Sequence, residues 1–390
     1  MFEELARGGD LLSLEILGKQ FVVRWGRAVT WQQRVSMSSA WARCISSPEP
    51  LLPPVPLEPA DGLPFTASVT SPSIKHDGGT FHLDAASFEE LAENLTSRLT
   101  VAAILANAGE LTMLHACGVA DPDTGAVVAL VARSGTGKTT ASAVLAQEYG
   151  YVTDETVAID WDGSVVPYPK PLSVKQGPGL PKRQLGPDEL GLQPAPAKPF
   201  IQSIVLLNRV HGPGHLRPVL ERVPLADAVL ALIPDSSSQG ELEAPLQSLC
   251  HLIESVGGVW QVTYSEAADL PTALEPLFQR QATTPGQDSA WEARAAGNNA
   301  EPVVEGWIRR VAAKDAVAVG SDLLIMLDNE IVRLTGIGPA IWEACAGPVP
   351  PERLAEEVTK VHGAPEGYRA AVVRAVEQLL AKFVLETNEK

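Results

Sequence analysis

Apolar and polar positions alternate weakly over Gln20–Trp25 (QFVVRW), the period-two signature of a half-buried strand. Seven prolines between Pro48 and Pro64 then describe an extended loop, since proline lacks the N–H a helix interior needs. Over Ser87–Leu105 the period changes. Leu91, Leu95, Leu99 and Ala102 fall at spacings that form one helical stripe. Residues 1–110 therefore read as a mixed α+β module.

From Leu111 the pattern is different. Leu111–Ala120 is strand-like, Asp121–Gly125 (DPDTG) is a turn, and Ala126–Ala132 is an unbroken apolar run. Such a run suits a central strand covered on both faces. A Gly-rich loop, a helix over Thr139–Gln147, a short strand within Tyr149–Ile159 and another over Ile201–Leu207 follow. Strand–helix–strand order indicates α/β architecture with a P-loop-type sheet over 111–279. Residues 280–307 read as a linker, because their polar composition sustains no apolar period. A last domain, 308–390, holds three short strands, Ala316–Val319, Leu323–Leu327 and Glu330–Leu334, with Asp328-Asn329 as the final turn. Helices around Gly338–Ala344, Glu352–Val361 and Tyr368–Phe383 complete it; Val372, Val376, Leu379, Leu380 and Phe383 share one face of the last.

Composition narrows the function classes. The 390 residues include 45% hydrophobic and 20% charged side chains, enough to bury cores. Formal net charge is −17, which disfavours nucleic-acid binding, a task that needs a cationic surface. No apolar run reaches the ~18–20 residues that span a bilayer. Cys44, Cys117, Cys250 and Cys345 stand far apart with no CxxC pair, the pattern of buried thiols in a reducing compartment. The expectation is a cytoplasmic protein that meets neither nucleic acid nor membrane.

The most specific chemistry lies in residues 132–139, Ala-Arg-Ser-Gly-Thr-Gly-Lys-Thr, which fit [AG]xxxxGK[ST] between a strand and a helix. Ser134, Gly135, Thr136, Gly137, Lys138, Thr139 and Thr140 are the expected phosphate cradle. The glycines let successive N–H groups converge on phosphate oxygens, and the helix start adds its positive end. Lys138 should reach the β- and γ-phosphates, and the Thr139 hydroxyl should join a Mg²⁺ shell. ATP and Mg²⁺ are the ligands this loop implies.

Asp154 and Glu155, after Tyr151-Val152-Thr153, are the best candidates for the acidic partner. One carboxylate could hold Mg²⁺ while the other accepts a hydroxyl proton; the alternative is a pair of capping or solvated acids. His115 precedes the P-loop strand, on what should be an adjacent strand, and is either a site residue or a satisfied structural histidine. His211 and His215 have i,i+4 spacing, but Gly212-Pro213-Gly214 excludes the helix a metal pair would need.

At these residues the chain resembles the HPr kinase/phosphorylase superfamily, whose P-loop fold is shared with phosphoenolpyruvate carboxykinase. Leu114-His115-Ala116, Val127–Val131, Ser134–Thr139 and Tyr151–Glu155 run in that family's order over roughly 111–210. The resemblance implies a PEP carboxykinase-like P-loop kinase with Asp154 as proton-transfer base, Lys138 and His115 beside it, and Glu155 with Thr139 at the metal. The family's acid–aliphatic–Arg–Gly stretch is represented only by Ser173–Gly177, with Lys175 as the surviving base and substrate-side candidate. That departure argues against HPr as substrate and against a reverse phosphorylase reaction.

The tail carries a second resemblance, to PqqD-like proteins, the peptide-recognition elements of ribosomal-peptide modification. Asn329–Glu343 looks like that family's strand–turn–helix segment, within a likeness spanning about 310–386. It implies a winged-helix-like PqqD-type domain that holds a precursor peptide or its leader along Glu330–Leu334. Residues 306–390 carry ten basic and twelve acidic side chains, a balance that favours peptide over DNA.

Together these expectations describe an ATP- and Mg²⁺-dependent kinase that phosphorylates a hydroxyl, a serine above all, on a ribosomally made peptide. The alternatives are a non-catalytic nucleotide-binding adaptor that delivers a peptide, and a small-molecule kinase of free-serine type. In the last case the tail serves assembly, since an edge strand pairs equally well with its own copy in a homo-oligomer.

Overall fold

A computed structural model of the chain describes residues 10–46, 63–75, 77–132, 137–212, 215–279, 290–297, 303, 305–328 and 330–388. The proline-rich stretch Pro48–Pro64 falls almost wholly outside them, as do Ser134, Gly135 and Thr136. The chain is mixed α/β and divides into two compact units. The first comprises Met1–Val223, Asp235–Glu241 and Val256–Thr283. The second comprises Pro224–Pro234, Leu242–Ser255 and Thr284–Lys390.

The first unit opens with an antiparallel meander of β1 (Leu11–Ile16), β2 (Lys19–Trp25), β3 (Phe65–Thr70) and β4 (Thr80–Ala85). In β2, Phe21, Val23 and Trp25 are buried, as the alternation of QFVVRW requires. Helix Phe88–Ala106 starts where the Ser87 hydroxyl accepts from the Glu90 N–H at 3.2 Å. It buries Leu91, Leu95, Leu99 and Ala103 against the meander. Met113, Ala158 and Tyr168 share that core, which joins the N-terminal module to the segment after it.

The chain continues as β5 (Thr112–Leu114), β6 (Ala116–Ala120), β7 (Ala126–Val131), β8 (Gly150–Thr153), β9 (Val157–Ile159) and β10 (Val165–Val166). Next come β11 (Leu172–Val174), β12 (Arg183–Leu185), β13 (Phe200–Arg209), β14 (Val219–Val223), β15 (Ser236–Ser237) and β16 (Val259–Tyr264). A six-stranded sheet has the order β14-β16-β13-β7-β6-β8, with β16, β13 and β7 mutually parallel. All six residues of β7 are buried, the reason its sequence shows no alternation. A smaller sheet runs β10-β9-β5-β15, and β11 pairs with β12 alone.

The expected strand Leu111–Ala120 is two strands in two sheets, broken at His115. There the His115 N–H donates to the Asp235 carbonyl at 2.6 Å and the next N–H, of Ala116, to the Glu155 carbonyl at 3.1 Å. Gly118 in β6 permits the closeness this folding needs: a Cβ there would stand 2.9 Å from the Val157 side chain.

In the second unit β17 (Trp291–Ala293), β19 (Asp315–Val319), β20 (Asp322–Leu327) and β21 (Glu330–Leu334) form a sheet in that order, with β21 at an edge. A second ribbon pairs β18 (Ile308–Arg310) with β22 (Leu385–Thr387). Helices Gly338–Ala344, Pro351–His362 and Tyr368–Ala381 close a core around Trp342, Leu354, Val358, Val372, Val376 and Leu379. The last helix stops before Phe383, which takes φ 55° and is 79% exposed, so it leaves the buried face expected of it. Trp291–Ala293 lies within the stretch read as linker; a three-residue strand is too short to show a period.

Helices Leu225–Leu232 and Pro245–Ser255 belong to this second unit. The Asp315 carboxylate of β19 accepts from the N–H groups of Leu246 and Gln247 at 2.8 and 3.0 Å and from the Gln247 amide at 2.8 Å. It is a buried cap on the helix Pro245–Ser255. Asp315→Ala should lower the stability of this unit by about 2–4 kcal/mol, because the buried helix donors lose their acceptor. Urea unfolding of the full chain, with hydrogen exchange read at 245–255, checks it. Among the described residues no helix is long and apolar enough to cross a membrane.

Candidate nucleotide and acid-pair site

Strand β7 delivers the chain to the Gly-rich segment, and Gly137 leads into the helix Lys138–Leu145 with φ 99°. That left-handed conformation is open to glycine and strained for other residues. Lys138, at the helix start, is nearly buried and donates to the Ala132 carbonyl across the loop. Burial pushes its ammonium below the ordinary lysine value, opposed chiefly by the Asp235 charge. A nearly buried cation at a helix N-terminus is suited to an anion.

The Thr139 hydroxyl lies 3.3 Å from Oδ2 of Asp154, at the end of β8 on the neighbouring part of the sheet. The second oxygen of Asp154 is already occupied. Oδ1 is 2.8 Å from the Lys170 ammonium and accepts from the Tyr151 hydroxyl at 3.1 Å. Lys170 also stands 3.2 Å from Oε2 of Glu155, so one cation bridges both acids. Lys170 and Asp154 expose only 2% and 4% of their side chains, whereas Glu155 exposes 36%.

Lys170 sits in Tyr168-Pro169-Lys170-Pro171, a stiff segment pinned from both sides. The Tyr168 N–H donates to the Val152 carbonyl at 3.0 Å, and its hydroxyl lies 2.7 Å from that of Thr100. The Tyr151 hydroxyl reaches the Lys170 carbonyl at 3.2 Å. Sequence reasoning missed this lysine; the signal available was a charged residue between two prolines, where no helix or exposed loop explains it.

His115 joins the cluster from the break between β5 and β6. Burial, then the Lys138 charge, holds its imidazole below the usual histidine value, while Glu155 and Asp235 pull the other way. Asp235 was also missed. It enters through the pairing of β15 with β5, a long-range contact that no local motif announces.

The structure thus brings together Lys138, Thr139, Asp154, Glu155 and His115. Thr140 is exposed on the helix. Lys175 is exposed just beyond β11, and among the described residues it makes no ion pair. His215 is 3.1 Å from Asp269, and His211 is exposed. No group of three or more His, Cys, Asp or Glu suited to a metal occurs among the described residues. The donors near Lys138 instead suit Mg²⁺ held by one hydroxyl and one carboxylate together with phosphate oxygens.

No curated protein sequence matches the chain. The solved structure titled as the Hpr(Ser) kinase/phosphatase from Coxiella burnetii is similar at 13% identity, over 43% of this chain and 93% of that chain, with a TM-score of 0.21. Residues 323–385 match the family model described as Coenzyme PQQ synthesis protein D (PqqD), so the chain carries a PqqD-type segment at its C-terminus.

Proposed function

We propose that the chain is an ATP- and Mg²⁺-dependent kinase that transfers the γ-phosphoryl group to a hydroxyl of a ribosomally made peptide. The observation that carries this reading is the 3.3 Å approach of the Thr139 hydroxyl to Asp154 Oδ2. It sets a loop hydroxyl and a strand-end carboxylate around one point, the arrangement a nucleotide-bound Mg²⁺ requires. We give the first unit a PEP carboxykinase-like P-loop fold and the C-terminal segment a winged-helix-like fold.

Bound there, Mg²⁺ would neutralise charge between the β- and γ-phosphates. The chain's own residues do the rest. Lys138 holds phosphate oxygens from the helix start. Asp154, fixed through Oδ1 by Lys170 and Tyr151, would hold the metal through Oδ2 together with Thr139. Glu155, partly exposed and committed to Lys170 through one oxygen, is placed to accept the proton of the acceptor hydroxyl. The expectation from sequence gave Asp154 the proton and Glu155 the metal; the hydrogen bonds favour exchanging those roles.

The peptide reading rests on the PqqD-type segment and on the edge position of β21. An edge strand offers unpaired backbone groups to an extended ligand. Assays of ADP release from Mg·ATP, with free serine and with serine-bearing precursor peptides as acceptors, test it. Peptide-dependent release is expected, and release with free serine alone favours the small-molecule kinase. Lys138→Ala and Thr139→Ala should each weaken Mg·ATP binding by on the order of tenfold or more. Unchanged affinity in both, measured by calorimetry, would sink the nucleotide reading.

A further inference from the structure

Strands β7 and β13 run parallel, with Val131 level with Leu206. Strand β13 then continues to Arg209, past the level at which β7 gives way to the phosphate loop. The Arg209 Nε–H donates to the carbonyl of Ser265, just beyond the adjacent parallel strand β16, at 3.1 Å. That bond anchors one edge of the guanidinium. A Cβ built on Gly137 would stand 3.6 Å from Nη1 of Arg209, so the outer nitrogen lies beside the residue that precedes Lys138.

The chain has 47 acidic side chains against 30 basic ones, yet among the described residues Arg209 forms no ion pair. Arg209 is partly buried and spends one donor on Ser265. Guanidinium has five N–H donors in a planar fork, a geometry matched to carboxylate or phosphate oxygens. Beside Gly137 and the start of the helix Lys138–Leu145, such a fork is suited to a phosphoryl group of a bound nucleotide.

We propose that Arg209 is a catalytic residue that contacts the terminal phosphoryl group of bound ATP from the side of Gly137, supplied in cis by the end of β13. The inference rests on the nucleotide reading above. In the transfer, the acceptor oxygen bonds to the γ-phosphorus and the bond to the bridging oxygen breaks, its electron pair leaving with ADP. The hydroxyl proton goes to Glu155. Arg209 exchanges no proton; it steadies charge on the γ-phosphoryl oxygens while that group is in transit.

The test compares the full-length wild type with Arg209→Gln and Arg209→Lys. The first can keep a donor for the Ser265 carbonyl without charge, and the second keeps charge without the fork. Calorimetry with Mg·ADP and with Mg and the β,γ-imido analogue of ATP reads binding, and thermal melts read folding. Arg209→Gln should bind ADP within about threefold of wild type but lose on the order of tenfold or more for the ATP analogue. Arg209→Lys should recover part of that loss. If both variants lose ADP and the ATP analogue equally, or Arg209→Gln loses neither, Arg209 only ties two strand ends together and the proposal fails. If Arg209→Gln does not fold, an Arg209→Lys variant that discriminates ATP analogue from ADP as wild type does also overturns it, because the lost fork should register. A wild-type chain that binds neither nucleotide overturns both readings together.

Discussion

Glu155→Gln should lower phosphoryl transfer by on the order of 10²–10⁴-fold while Mg·ATP affinity stays within about threefold of wild type. The split follows from what each acid touches. Glu155 is 36% exposed and bonds Lys170 through one oxygen, so its loss removes a proton acceptor without unseating the metal position. Asp154 is buried, with Oδ1 held by Lys170 and Tyr151 and Oδ2 at Thr139. Asp154→Asn should therefore weaken the Mg²⁺ dependence of nucleotide binding as well as turnover. Single-turnover transfer and calorimetry, run at several Mg²⁺ concentrations, separate the two outcomes. If Asp154→Asn keeps Mg²⁺-dependent binding and loses only turnover, the proton belongs to Asp154, as its resemblance to the kinase family implies.

What could be seen in the sequence was whatever is local. The run Ala126–Ala132 followed by Gly137-Lys138-Thr139 marks a buried strand entering a helix, because both signals lie within one short stretch. Asp154 and Glu155 were visible as acids at a strand end, and His115 as a polar residue in an apolar segment. The pairing of β20 with β21 was visible too, since two apolar-rich runs lie only two residues apart in sequence; Asn329 between them lies outside the described residues. The groups that organise the acids were not. Lys170 reaches Asp154 only because Tyr168 is pinned under β8 and against Thr100, contacts set by tertiary folding. Asp235 arrives by β15 pairing with β5 across more than a hundred residues. Helix Pro245–Ser255 lies in sequence between strands of the first unit, yet it is capped by Asp315 in the second. Periodicity reports which face of an element is buried and is silent on what it is buried against.

Lys170→Met should destabilise the first unit by about 3–5 kcal/mol, the usual cost of leaving one member of a buried ion pair without its partner. The cost falls mainly on Asp154, since Glu155 is solvated enough to discount its share. Replacing both charges, as in Lys170→Met with Asp154→Asn, should recover much of that loss, and a double-mutant cycle by urea unfolding measures the coupling. The dependence on pH has a definite sign. Burial alone would lower the Lys170 value, but Asp154 and then Glu155 reverse this and raise it to about 12 from 10.5. A folded value above the unfolded one stabilises fully below the unfolded value and ceases to do so as pH rises through the folded one. The gap in stability between wild type and Lys170→Met should therefore stay constant from neutral pH to about 10 and shrink only between about 10.5 and 12. A gap that already closes near pH 8 would mean the ammonium is not held by the acid pair in solution. The support this gives to Asp154 in the proposed mechanism would then be lost.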